Sequence, residues 1–133
     1  MAALVELGST FAPLQLYLRT GAPDRIDSAL GPGHRGWANR ELWAPPLSVE
    51  VASTTGADDS ATGGLLFGIL SGWDPEDALT AAASAAASRI ESGRVGGWAE
   101  LSLRLETGWA HVELTEPGWV ELQPGIYSSE NQL

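Results

Sequence analysis

No cysteine occurs in this sequence, which excludes disulfides and thiolate metal sites and is compatible with a reducing cytoplasm. Basic residues are scarce. Seven Lys and Arg stand against seventeen Asp and Glu, a net charge of −10, and that balance argues against nonspecific binding to nucleic acid or an anionic membrane. The only two histidines, His34 and His111, have no HxxxH or HxH spacing, so a histidine metal site is not expected. A serine nucleophile in a GxSxG context is also missing. No window approaches the roughly 18 uninterrupted apolar residues of a membrane helix. The opening MAALVELGST lacks a basic region followed by a long apolar run. A soluble, cytoplasmic protein is the expectation.

What is present is a globular composition, 44% hydrophobic and 18% charged, in 133 residues that suit one ordinary domain. Ala2 to Leu7 reads as a short strand ended by Gly8 and Ser9, and Leu14 to Arg19 alternates as a second strand. Ala22 to Gly36, with three Gly and two Pro among polar residues, reads as a loop. Trp37 to Trp43 precedes two prolines that would stop a helix, and so reads as a strand pairing with Leu14 to Arg19. Both tryptophans are expected to cover apolar surface rather than stack on bases.

The chain is organised around Ser53 to Trp73, STTGADDSATGGLLFGILSGW. Leu47 to Ala52 (LSVEVA) alternates like a strand, and a Thr/Gly turn then leads into a helix expected from about Asp58 to Ser71. Leu65, Leu66, Ile69 and Leu70 give the three-and-four spacing of a buried face. Gly63, Gly64 and Gly68 lower helix propensity by up to about 1 kcal/mol each, so they serve either close packing or a ligand lying on bare backbone. A helix start carries unpaired N–H groups and about half a positive charge, which suits an anion near Gly56 and Ala57. Asp58 and Asp59 are adjacent there and point about 100° apart, a poor geometry for paired-carboxylate glycoside hydrolysis.

Asp74-Pro75-Glu76-Asp77 reads as the next helix start, with Asp74 as cap, Pro75 at the first helical position and acids that complement the dipole. Seven alanines between Ala78 and Ala87 give that helix high propensity and little bulk, so it must pack closely. Gly97 to Thr107 suggests a third helix with Trp98, Leu101 and Leu105 on one face, closed by Gly108. Trp109 to Leu122 could form one or two strands. Pro124 to Leu133 is polar and reads as a frayed tail.

STTGADD followed by a small-residue and apolar helix resembles the DTTGAGD signature of the ribokinase/PfkB family of ATP-dependent sugar and nucleoside kinases. Thr54, Thr55, Gly56, Ala57 and Asp59 fall on the pattern, with Ser53 in place of its first Asp and Asp58 in place of its second Gly. WDPEDALTAAASAAASRIE looks like the family's next helix, and LYLRTG with WANRELWAPPLSVEV like the strands leading in. The resemblance implies an α/β, ribokinase-like, Rossmann-like three-layer fold. This chain would be its C-terminal fragment, with a short hairpin and two to three helices: strands and loop over 1–52, two helices over 53–92, a short helix and tail over 93–133.

By the same resemblance Asp59 would be the catalytic base, with Thr54, Thr55, Gly56, Ala57 and Asp58 binding the nucleotide. ATP and Mg would be the cofactors and a sugar or related small molecule the substrate, with no dedicated metal ligands in the chain. A polar residue that lies near the adenine in the family is matched here by Ala83. The family's sugar-binding half lies before the matched segment and is absent, so the partners implied are a homodimer or the missing N-terminal half. Two readings stay open: a phosphotransferase module, or a catalytically silent remnant acting through protein contacts.

Overall fold

The computed structural model describes residues 5–11, 14–45, 47, 49–53, 55–107 and 118–129. Five strands form one sheet in the order β1-β2-β3-β5-β4: β1 Val5–Phe11, β2 Leu14–Thr20, β3 Glu41–Ala44, β4 Trp119–Gln123 and β5 Ile126–Ser129. Every pairing is antiparallel. Four helices accompany the sheet: α1 Pro23–Leu30, α2 Ala57–Leu70, α3 Pro75–Ser92 and α4 Trp98–Thr107.

Alternation decides which face of the sheet is buried. Leu16 and Leu18 of β2 lie opposite Ala44 and Leu42 of β3, and all four are buried with Ile126 against Leu79, Ala82 and Ala86 of α3. Removing each leucine from water contributes about 2 kcal/mol. On the other face Trp119 packs edge-on against Trp43 and Tyr17, with ring centroids 5.5 and 6.2 Å apart. Trp43 is thus hydrophobic cover, as expected. Trp37 is buried too, its indole N–H donating to the Trp73 carbonyl at 2.9 Å.

α3 is the central helix. It packs on β2, β3 and β5, on α2 along one side and on α4 along another. Pro75 occupies its first turn and Gly93, at φ 76°, ends it. Asp74 takes the N-cap position, though its side chain makes no capping hydrogen bond. Its contact with α2 is close because of two glycines. A Cβ at Gly68 would stand 2.5 Å from the Ala78 Cβ, and one at Gly64 would stand 2.5 Å from the Ala81 carbonyl oxygen. Gly63 meets nothing. α4 joins through Leu101 against Ala85 and Ala87, with Trp98 and Leu105 beside them, the face expected from the sequence. Arg104 bridges to Glu91 of α3 at 2.8 Å, a half-exposed pair worth less than about 1 kcal/mol.

Several expectations need correction. Ala22 to Gly36 is not a loop: Pro23 starts α1, Gly31 at φ 91° ends it, and a 3₁₀ segment Pro32–Trp37 follows. Here Pro and Gly bound a short helix whose Ile26 is wholly buried. This excursion is closed where Thr20 N–H donates to the Arg40 carbonyl and Arg40 N–H to the Thr20 hydroxyl. β3 begins at Glu41 rather than Trp37, and β1 runs through Gly8 and Ser9 to Phe11. Leu47 makes an isolated bridge and residues 49–52 form no strand, because their partner is the end of α3 rather than the sheet: Ala52 and Ser53 N–H both donate to the Ile90 carbonyl.

Residues 124–129 of the tail are ordered, and 130–133 lie outside the described residues. Gln123 and Ile126 pair across a Pro124-Gly125 turn with Gly125 at φ 79°, and β5 lies buried between β3 and β4. On α2 only Leu65 of the expected apolar face is fully buried. Ile69 is half-buried and Leu66 and Leu70 are exposed, because the glycine and alanine side of the helix faces α3 instead. Gly108 and His111 lie outside the described residues. Helix and strand together give the expected α/β class. Among the described residues the sheet pairs only antiparallel, and its core cluster joins it to the helices.

The two glycine environments predict opposite signs. Gly68→Ala should destabilise the protein by about 1–3 kcal/mol through overpacking against Ala78, whereas Gly63→Ala should stabilise it by about 0.5–1 kcal/mol through helix propensity. Urea unfolding of both variants checks this.

Candidate functional site

The signature turn lies between two helix ends. Ser53 is exposed, and its hydroxyl accepts from the Thr55 N–H at 3.1 Å. Gly56 then takes the left-handed conformation, φ 80° and ψ 3°, and serves as N-cap of α2. An L side chain at that φ costs about 1 kcal/mol or more, so the glycine is conformationally required. Asp58 is already inside α2 and has no positive φ.

α2 opens without a side-chain cap, and its first regular bond runs from the Ser60 N–H to the Gly56 carbonyl at 3.0 Å. The N–H groups before Ser60 therefore have no acceptor within the helix. They are not equally open. Ala57 is completely buried, Gly56 is half-buried, and Asp58 and Asp59 are exposed on the first turn. Thr55 is exposed, and Thr54 lies outside the described residues. The structure thus brings Thr55, Gly56, Asp58 and Asp59 together at one helix start, with Ala57 beneath them.

Sequence reasoning missed two features. Arg89, near the end of α3, donates through Nε to the Thr55 carbonyl at 3.1 Å and through Nη1 to the Gly93 carbonyl. Its guanidinium lies over Gly56, where an added Cβ would meet Nε at 3.1 Å. The only sequence signal was its position in the last turn of an alanine helix.

The second feature is a cavity of about 360 Å³ that begins one residue beyond Asp59, at Ser60. Gly63, Gly64 and Phe67 of α2, Ala81 of α3, and Trp98 and Leu101 of α4 form its walls. Trp73 packs against both Phe67 and Trp98, at 5.3 and 4.9 Å between ring centroids, and so braces one wall. Gly64 therefore serves packing, while Gly63 leaves backbone open to the cavity. Ala83 is not there. It packs on the sheet side of α3, beside Thr80, Leu105 and Ile126. Among the described residues no group of three His, Cys, Asp or Glu could hold a metal ion, and no helix is long and apolar enough to cross a membrane.

This strandless approach, left-handed glycine and acid-bearing helix start lie within residues 38–98, which match the family model described as pfkB family carbohydrate kinase. Over these residues the chain is thus similar to part of the pfkB family carbohydrate kinases. Over 62 residues it is 42% identical to proteins named 1-phosphofructokinase from Escherichia coli K12, Escherichia coli O157:H7 and Shigella flexneri. The match covers 45% of this chain and 20% of the length of each relative. No solved structure matches the chain significantly.

The left-handed turn gives a stability prediction. Gly56→Ala should destabilise the protein by about 1–2 kcal/mol, since it forces an unfavourable φ and pushes a methyl against Arg89. Thermal unfolding compared with Gly63→Ala checks it.

Proposed function

We propose that this chain is an ATP-dependent phosphotransferase module of the PfkB type, passing the γ-phosphate to a sugar hydroxyl. The observation that carries this is the placement of Asp59, exposed on the first turn of α2 directly after the left-handed Gly56. Asp59 takes the proton of the sugar hydroxyl, the freed oxygen attacks the γ-phosphorus, and ADP leaves. Backbone N–H groups at Gly56, Ala57 and Asp58 receive the charge that develops on the phosphate, with Ala57 requiring a local opening because it is buried. Thr54 and Thr55 line the phosphate path. No cluster among the described residues would hold a metal, so magnesium would come with the nucleotide and supply charge neutralisation there. The parent fold is ribokinase-like and the setting cytoplasmic.

Asp58, standing where the signature has Gly, opposes the phosphate. At about 5 Å and an effective dielectric near 20 the repulsion is about 3 kcal/mol before screening, roughly a hundredfold in affinity. Because Asp58 is helical and near the positive end of α2, its removal also lowers fold stability. Asp58→Gly should therefore bind Mg-ATP about tenfold or more tightly after screening while losing about 1 kcal/mol of stability. Asp59→Asn should retain binding and lose transfer. Calorimetric titration of Mg-ATP into all three proteins, with a coupled ADP assay, decides the matter. Equal affinity in wild type and Asp58→Gly would place the anion site elsewhere.

A second reading, a silent remnant that acts through protein contacts, draws on α2's outer side. Leu66, Phe67 and Leu70 are 52%, 46% and 86% exposed, with Val51 also bare. Leu66 and Leu70 lie one turn apart on the same face. Such a patch favours association, as a homodimer or with a chain supplying the other half of a kinase. Light scattering at micromolar concentration should show dimers that Leu70→Glu reduces to monomers. A clean wild-type monomer that binds no hydrophobic dye would count against this.

A further inference from the structure

All seven basic residues are arginine, and phosphoryl transfer needs a positive group close to the migrating phosphate. Arg89 is the arginine whose guanidinium lies on the signature turn. It bonds Thr55 O on one side and Gly93 O on the other, and covers the face of Gly56 from which a side chain would project. Other bonds run parallel to it: Ala52 and Ser53 N–H to the Ile90 carbonyl, and Gly93 N–H to the Arg89 carbonyl. The last turn of α3 is thus a platform for Ala52, Ser53, Thr55 and Gly56, and Arg89 fastens its far edge. The planar fork of a guanidinium can serve two carbonyls in different directions, which a lysine ammonium on a single stem does less well.

We infer that Arg89 is a positioning residue for the phosphate site: it fixes the Thr55-Gly56 turn that presents the first amides of α2, and it holds a positive charge over Gly56. This rests on the phosphotransferase reading for its ligand, though not for its geometry. A bare helix start beside two carboxylates would repel a polyphosphate. A guanidinium held over Gly56 places a positive charge at the turn without waiting for ligand to order it.

The test uses Arg89→Ala and Arg89→Lys in the full chain. In ligand-free protein, amide exchange at Ala52, Ser53, Thr55 and Ser60 should be about tenfold faster in both variants, while amides in the middle of α3 stay unchanged. Mg-ATP affinity should fall about tenfold or more in Arg89→Ala and recover in part when free guanidinium is added. Arg89→Lys should bind more weakly than wild type even though it keeps the charge. Wild-type affinity in Arg89→Lys, or unchanged exchange at the turn in either variant, would overturn the inference. If the wild-type protein binds no Mg-ATP, the phosphotransferase reading fails, and the exchange comparison alone still decides whether Arg89 fastens the turn. Should Arg89→Ala not fold, Arg89→Lys carries the same comparison.

Discussion

Close approach of α2 to α3 is the constraint on which the other parts depend. Gly64 and Gly68 let α2 lie against the backbone of Ala81, Ala82 and Ala78, at separations no side chain could enter. Two helices packed so closely have little freedom to slide, because small residues leave no soft side chains to adjust. The position of the α2 start relative to the α3 end is therefore set by packing a full two turns away. The site inherits its geometry from that contact.

At the far end of the same helix pair, the chain exchanges close packing for hydrogen bonds. Ala52, Ser53 and Thr55 lie outside any strand, and α3 supplies partners for their backbone through the Ile90 carbonyl and the Arg89 side chain. The left-handed Gly56 then turns the chain into α2, leaving acids on its exposed first turn. Beside this helix pair α4 helps wall a cavity, onto which Gly63 opens. One pair of helices thus holds both the left-handed turn at Gly56 and a largely apolar recess beside it.

Much of the helical part was legible. Pro75 marks the start of α3, and Trp98, Leu101 and Leu105 define the inner face of α4. Less was legible in the flanks. Gly and Pro between 22 and 36 are loop signals by frequency, yet here they bound a helix whose burial of Ile26 and neighbouring Trp37 outweighs them. The Pro-Gly pair at 124–125 was a hairpin signal between two short alternating runs, and a polar last decade concealed it. On α2 the leucine spacing misled, since alanine and glycine form the buried side and two leucines face outward.

The sequence by itself determined the identity of the turn and its helix: Thr55, Gly56, Asp58 and Asp59 follow one another, and a helix start is written in residues within four positions of each other. It also determined the closeness of α3, because alanine has no bulk to hold a neighbour away. Only tertiary structure decided what lies over Gly56, since Arg89 reaches Thr55 from 34 residues away along the chain. The same is true of β5, which becomes an inner strand by pairing with β3, more than eighty residues earlier in order. Local signals report bonds between near neighbours, whereas sheet order and the guanidinium contact depend on which distant surfaces the helix packing brings together.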